Sequence, residues 1–192
     1  MSGPFILATA NPDKAREIVQ ILSAFELLPR PESVPEVEET GETLTDNALL
    51  KAQALVDATG QPAIADDTGL EVAALGGAPG VYSSRYSGEH ATYADNVAKL
   101  VGAMRAVPIG EREARFRTVA VAVWPDGRRQ IAEGVVDGVI APEPRGHNGF
   151  GYDPVFIPSD GDGRTMAELS PEEKNAISHR GRAFAALAEL LA

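Results

Sequence analysis

Two adjacent carboxylates, Asp66 and Asp67, follow the apolar run Ala63-Ile64-Ala65 and precede Thr68-Gly69. Like charges on neighbouring residues repel unless a cation or solvent accommodates them. Successive strand side chains point to opposite faces, so at the end of a strand one of the two would face a bound metal directly. The same residues would also serve as an acidic turn in which aspartate caps backbone groups. A second acidic run, Glu38-Glu39-Thr40-Gly41-Glu42, is followed by Asn47 and Lys51. A carboxylate from this run can complete a magnesium site with Asp67 while Lys51 faces phosphates, since Mg²⁺ is held by a few carboxylates together with substrate phosphates and water. Alone, the run also fits a solvated loop.

Three further segments carry polar chemistry. Thr9, Ala10, Asn11, Pro12, Asp13 and Lys14 lie between an apolar run and a helical pattern. Backbone N–H groups at a helix start hold phosphate oxygens, and Lys14 adds a full positive charge; a well-capped helix with a solvated lysine accounts for the same residues. Neither G-x-x-x-x-G-K-[ST] nor G-x-G-x-x-G follows a strand, which disfavours a P-loop or a dinucleotide fold. In Gly146-His147-Asn148-Gly149-Phe150-Gly151-Tyr152-Asp153-Pro154, glycines let backbone approach a ligand and Phe150 or Tyr152 can stack on a base; aromatics plugging a core read equally well. Finally, Glu173-Lys174-Asn175-Ala176-Ile177-Ser178-His179-Arg180 would place Lys174 with Ser178, and Asn175 with His179, on shared helix faces.

The elements that must position these residues follow from capping and periodicity. Residues 4–9 read as a buried strand, and Asn11-Pro12-Asp13 as a helix start. Residues 29–41 are proline-rich and acidic and read as an irregular loop. A helix is expected over 43–59 with Gly60 as its stop, a strand over 63–65, and a helix over 93–104 capped by Thr92. Residues 114–124 and 129–140 read as a strand pair around Pro125-Asp126-Gly127, 141–153 as a loop, and Ser170 with Glu173 as a capping box opening the final helical region, which reaches Leu191. The 192 residues suit a single domain over 1–192. The absence of cysteine excludes disulfides and thiolate sites, and the three histidines lie far apart. The net charge of −11 argues against a nucleic-acid surface while leaving room for a small nucleotide. Without a signal-peptide pattern or a membrane-spanning run, a cytoplasmic location is expected.

In this order the segments LATANPDKAREI, EETGETLTDNALLKA, AIADDTGLEVAALGGAPGVYSSRYSG, GFGYDPVF and AELSPEEKNAISHRGRA resemble the inosine triphosphate pyrophosphatase family, the non-canonical purine NTP pyrophosphatases. The resemblance implies an α/β fold, an elongated mixed β-sheet flanked by helices with a central cleft, in a homodimer. It implies Mg²⁺-dependent hydrolysis of ITP, dITP and XTP to monophosphate and pyrophosphate. It assigns Asp67 as catalytic base and metal ligand, with Glu38 as the other ligand in a register that Glu39 leaves open by one residue. Substrate positions fall on Thr9 to Lys14, Lys51, Thr68, Phe150, Gly151, Tyr152, Asp153, Lys174, His179 and Arg180. Lys14, Lys51, Lys174 and Arg180 are expected to offset phosphate charge. His179 and Arg180 are expected to donate to a purine 6-oxo group, where adenine would leave donors unmet at about 1–3 kcal/mol. Ala10 stands where glycine is common in the family, and His147-Asn148 where smaller residues are. A pyrimidine-directed house-cleaning pyrophosphatase lacks support because the chain reads TANPDK rather than a glycine- and arginine-rich start. A nucleotide-sensing module would not need the acidic cluster. The segment containing Val81, Tyr82 and Tyr86 is the candidate dimer face, although it also suits a cleft or core.

Overall fold

A three-residue apolar strand, β1 (Phe5–Leu7), leads into a helix whose start is written in the sequence. Asn11 is extended and its side-chain oxygen accepts from the N–H groups of Asp13 and Lys14, while Pro12 opens α1 (Pro12–Ile21). Proline suits that position because its missing N–H has no partner there to lose. The computed structural model describes residues 3–192. After β2 (Leu27–Leu28), residues 29–41 form neither strand nor helix, as their prolines lead one to expect. Thr43 then caps α2 (Leu44–Thr59), which ends at Gly60.

The next strand, β3 (Ala63–Val72), is longer than the sequence suggests. Asp66-Asp67-Thr68-Gly69 lies within it rather than in a turn at its end. β3 is hydrogen-bonded to β1 and to the later strand at Glu113–Val123 within the sheet, and its far end also pairs antiparallel with β4 (Pro79–Gly80), Leu70 opposite Gly80 and Glu71 opposite Pro79. Thr92 and Asp95 form a reciprocal capping box on α3 (Tyr93–Ala103). β5 (Glu113–Val123) and β6 (Arg129–Ile140) are joined by a tight turn in which Gly127 N–H donates to the Trp124 carbonyl. β7 (Phe156–Pro158) pairs antiparallel with β6. The sheet order is β2-β1-β3-β5-β6-β7, with β4 on β3 and with β1 parallel to both β2 and β3. This is the mixed α/β sheet expected from the sequence.

The C-terminal region is two helices, not one. Ser170 and Glu173 cap α4 (Pro171–Ile177) as the box predicts, but Ser178 is extended (φ −71°, ψ 154°) and α5 (His179–Leu191) starts afresh. Lys174 with Ser178, and Asn175 with His179, therefore do not share a helix face.

The chain divides into two compact units, one of residues 3–67, 118–134 and 179–192, the other of 68–117 and 135–178. The first has its core in Phe5, Leu7, Ile18, Ile64, Phe184 and Leu187, with α1 packed on α5. The second has its core in Leu70, Leu100, Met104, Phe116, Ile140 and Phe156. Among the described residues, no helix is long and apolar enough to cross a membrane.

Gly134 lets β6 touch α5: a Cβ there would lie 2.1 Å from the His179 carbonyl oxygen and 2.4 Å from the Ala183 nitrogen. Both neighbours are backbone, so neither can rotate away. Gly134→Ala is expected to lower stability by about 3 kcal/mol or more, since overpacking of this kind must shift backbone; an unchanged midpoint in urea denaturation would contradict the contact.

Candidate active site

Alternation along β3 separates the two aspartates within the first unit. Asp66 points toward α1 and α5. Its Oδ2 accepts from Lys14 Nζ at 3.0 Å and lies 3.7 Å from Arg180 Nε. Arg180, buried at the start of α5, also donates through Nη1 to Glu17 Oε2 at 2.6 Å. Glu17 is three residues after Lys14, so α1 carries a cation and an anion into one cluster.

Asp67 points toward α2. Asn47 Nδ2 donates to its Oδ2 at 3.2 Å, and Lys51 Nζ lies 3.3 Å from its Oδ1 and 2.7 Å from Glu39 Oε1. Glu39 is the carboxylate brought to this cluster, while Glu38 is exposed.

These partner sets drive the neighbouring acids apart. Burial raises the pKa of Asp66, but Lys14, Arg180 and Lys51 outweigh it and hold the carboxyl well below the usual carboxylate range. At Asp67, burial, reinforced by Glu39 and Asp66, outweighs Lys51 and Lys14 and raises the pKa. Burial lowers the pKa of Lys14, only partly offset by Asp66 and reinforced by Lys51 and Arg180. Burial also acts against charged Lys51, yet Asp67, Asp66 and Glu39 together raise its pKa. Adjacent titratable groups driven in opposite directions divide into a fixed charge and a proton acceptor, the usual arrangement of acid and base roles. Asp66 is held as an anion, and Asp67 binds a proton more readily than an ordinary carboxylate.

The rest of the expected phosphate segment lies outside the carboxylate cluster. Thr9 Oγ1 accepts from Asn11 N–H at 3.1 Å, Ala10 and Pro12 are exposed, and Asp13 pairs with Arg16 at 3.2 Å. Only Lys14 enters the carboxylate cluster. His179 is buried beside Arg180 in the first turn of α5.

The second unit gathers the other expected residues. Lys174 is buried against Asp153, Nζ to Oδ2 at 2.5 Å, and lies 4.8 Å from the centroid of the Phe150 ring. The same Asp153 oxygen accepts from Phe150 N–H at 2.8 Å, tightening the turn that contains Gly151. Phe150 also packs on Tyr93, centroids 5.7 Å apart. Tyr152 is not a platform for a base: it is buried, and its hydroxyl donates to the Ser83 carbonyl at 2.9 Å. Burial, with a smaller effect of Tyr86, raises its pKa far above the ordinary phenol value. Thr68 is half-buried on β3.

Sequence reasoning gave no role to Glu17 or Asn47 and no partner to Asp66. The spacing of Lys14 and Glu17 was the available sign for the first. The partners of Asp66 are 52 residues away in one direction and in α5 in the other, beyond any local pattern.

A model of the Ham1 family matches residues 5–190. A dITP/XTP pyrophosphatase of Geobacter sulfurreducens is 50% identical over 190 residues, 97% of this chain and 95% of that protein. One from Escherichia coli O157:H7 is 48% identical over 97% of this chain and 96% of its own. A HAM1 protein from Coxiella burnetii matches the structure with a TM-score of 0.88 at 45% identity, covering 98% of both chains. The Staphylococcus aureus Ham1 protein matches at 0.87 and 39%, covering 98% of this chain and 97% of that one.

The two aspartates should separate in stability. Asp66→Asn leaves Lys14 and Arg180 short of a buried counter-charge and is expected to cost about 3 kcal/mol. Asp67→Asn removes a charge that burial disfavours and should cost less than Asp66→Asn, although it deprives Lys51 or Asn47 of an acceptor. Because the native pKa of Asp66 is depressed, its contribution is complete above about pH 4 and declines as the pH falls toward that native value. Urea denaturation of wild type and Asp66→Asn should therefore converge only in strong acid; a gap that narrows between pH 8 and 6 would contradict the assignment.

Proposed function

Because this chain belongs to the Ham1 family and matches dITP/XTP pyrophosphatases along nearly its whole length, we propose that it hydrolyses ITP, dITP and XTP to the nucleoside monophosphate and pyrophosphate, clearing them from the nucleotide pool. The observation that carries the chemistry is the split pair on β3, a fixed Asp66 anion holding Lys14 and Arg180 beside an Asp67 with a raised pKa.

Asp67 and a carboxylate of Glu38 or Glu39 would hold Mg²⁺. The donor set fits a hard cation that takes oxygen ligands, and a single ammonium, Lys51, already spans Asp67 and Glu39. Among the described residues, no three acidic or histidine side chains gather into a group that could hold a metal ion, so substrate phosphates and waters would have to supply the remaining ligands. When bound, Mg²⁺ neutralises phosphate charge and acidifies water. Asp67 accepts the proton of the attacking water. The water oxygen bonds to the α-phosphorus, the bond from that phosphorus to the α–β bridging oxygen breaks, and pyrophosphate leaves with the electron pair. Lys14 and Lys51 offset the negative charge gathering on the phosphates.

Thr68, Phe150, Gly151, Asp153, Lys174 and the backbone of Tyr152 are assigned to the nucleoside, with Phe150 as the stacking ring. His179 and Arg180 are assigned to the 6-oxo group, Glu17 and Asp66 fixing the plane of a guanidinium that has five N–H donors. The protein is read as a cytoplasmic homodimer, with Tyr82, 60% exposed, as the aromatic to be covered. Light scattering should give twice the chain mass.

A nucleotide panel with and without Mg²⁺ tests the activity. ITP, dITP and XTP should be turned over with pyrophosphate as first product; direct release of orthophosphate, or turnover of TTP above ITP, would sink the reading. Asp67→Asn should lose about 10³-fold or more in kcat, as expected for loss of a general base. Lys14→Ala should raise KM more than it lowers kcat, and an unchanged KM would remove Lys14 from the triphosphate.

A further inference from the structure

Asn47 is an unusual residue to bury in the first turns of a helix. It is fully buried on α2, where a carboxamide is a weaker helix former than an aliphatic side chain and must satisfy its polar atoms. Both ends are engaged. Oδ1 accepts from Gly41 N–H at 2.8 Å, and Nδ2 donates to Asp67 Oδ2 at 3.2 Å. This orientation of the amide is dictated by its partners, because only oxygen can face an N–H and only NH₂ can face a carboxylate.

Gly41 closes the acidic run that carries Glu38 and Glu39. It approaches α2 so closely that a Cβ would lie 2.6 Å from Asp46 Cβ and 2.7 Å from Asn47 Oδ1. One turn further along α2, Lys51 makes a parallel connection from Glu39 Oε1 to Asp67 Oδ1. Each oxygen of Asp67 thus has its own donor from α2, and each donor residue also grips the acidic loop. Lys51 is one connection, carrying charge; Asn47 is the other, neutral and directional.

We propose that Asn47 is a positioning residue for the hydrolytic reaction: its amide fixes the plane of the Asp67 carboxylate and ties the Glu38–Glu39 loop to it through Gly41. The inference rests on the reading of Asp67 as the catalytic base. A neutral amide orients the carboxylate without claiming its charge, whereas a second cation at this place would lower its basicity. Orientation matters here because small displacements of a reacting group cost orders of magnitude in rate.

The two halves of the clasp can be broken separately. Asn47→Asp keeps an acceptor for Gly41 N–H but turns an anion toward Asp67. Asn47→Ala removes both halves, and Gly41→Ala strikes the acceptor half from the other side. With ITP as substrate at saturating Mg²⁺, Asn47→Asp and Asn47→Ala should each lose about a hundredfold in kcat with KM for ITP within about threefold of wild type. Gly41→Ala should lose less. The double variant Asn47→Ala/Gly41→Ala should be no slower than Asn47→Ala alone, because both break one connection. Amide hydrogen exchange supplies a readout apart from turnover: Gly41 N–H should lose protection in Asn47→Ala and retain it in Asn47→Asp. An Asn47→Asp enzyme with near wild-type kcat would reduce Asn47 to a loop anchor and overturn the proposal, as would an unchanged Gly41 amide in Asn47→Ala or additive losses in the double variant. If Asn47→Ala is unfolded by circular dichroism, the isosteric Asn47→Asp decides alone. An active Asp67→Asn enzyme would instead remove the base reading itself, whatever the Asn47 variants do.

Discussion

Placing two carboxylates at consecutive positions of one buried strand is a constraint that the rest of the first unit answers. The repulsion between neighbours cannot be relieved by turning either side chain to water, because both are buried. Strand alternation provides the way out. It sends the charges to opposite faces, and each face then needs its own cations: α1 and α5 bring Lys14 and Arg180 to one, and α2 brings Lys51 to the other. Docking these helices against β3 is therefore as much an electrostatic requirement as a hydrophobic one. The apolar core of Phe5, Ile18, Ile64 and Phe184 supplies the driving force, and the ion pairs select the arrangement.

The asymmetry between the faces separates the two carboxylates chemically. Asp66 has more positive charge around it than it needs to stay ionised, and Glu17 completes the neutralisation on that side. Asp67 shares a single lysine with Glu39 and receives its other hydrogen bond from a neutral amide. A buried carboxylate given so little positive charge binds protons more tightly than a surface one. In the second unit the opposite solution holds: Lys174 and Asp153 neutralise one another, and the pair organises the backbone of the Phe150 turn.

Much of the scaffold was legible because its signals are local. Asn11-Pro12, Thr43 with Gly60, Thr92 with Asp95, and Ser170 with Glu173 each fix a helix start or stop within four residues or one helix length. The hairpin of β5 and β6 is equally plain. Asp66-Asp67-Thr68-Gly69 misled because aspartate before glycine is common turn chemistry, and the strands that override it, β1 and β5 with β4 at the far end, lie elsewhere in the sequence. Ser178 was hidden because serine interrupts helices without a distinctive neighbour. Tyr152 and Phe150 look alike in sequence, yet a carbonyl 69 residues away at Ser83 claims the tyrosine for the core. Glu39 in place of Glu38 beside Lys51 is a difference of register that only the loop's path determines.

The contact between Glu17 and Arg180 joins positions 163 residues apart. A growing polypeptide that has completed β3 already holds Lys14, Asp66, Asp67 and Lys51, but the guanidinium that completes the environment of Asp66 is synthesised more than a hundred residues later, in α5. Domains generally begin to fold from the N-terminus during synthesis. Here the nascent first unit lacks the buried cation that pairs with Glu17 until its last helix arrives. The Asp66 face thus gains its guanidinium only when α5 docks, and a chain cut short before Arg180 loses the partner of Glu17 and one of the cations around Asp66, not merely residues.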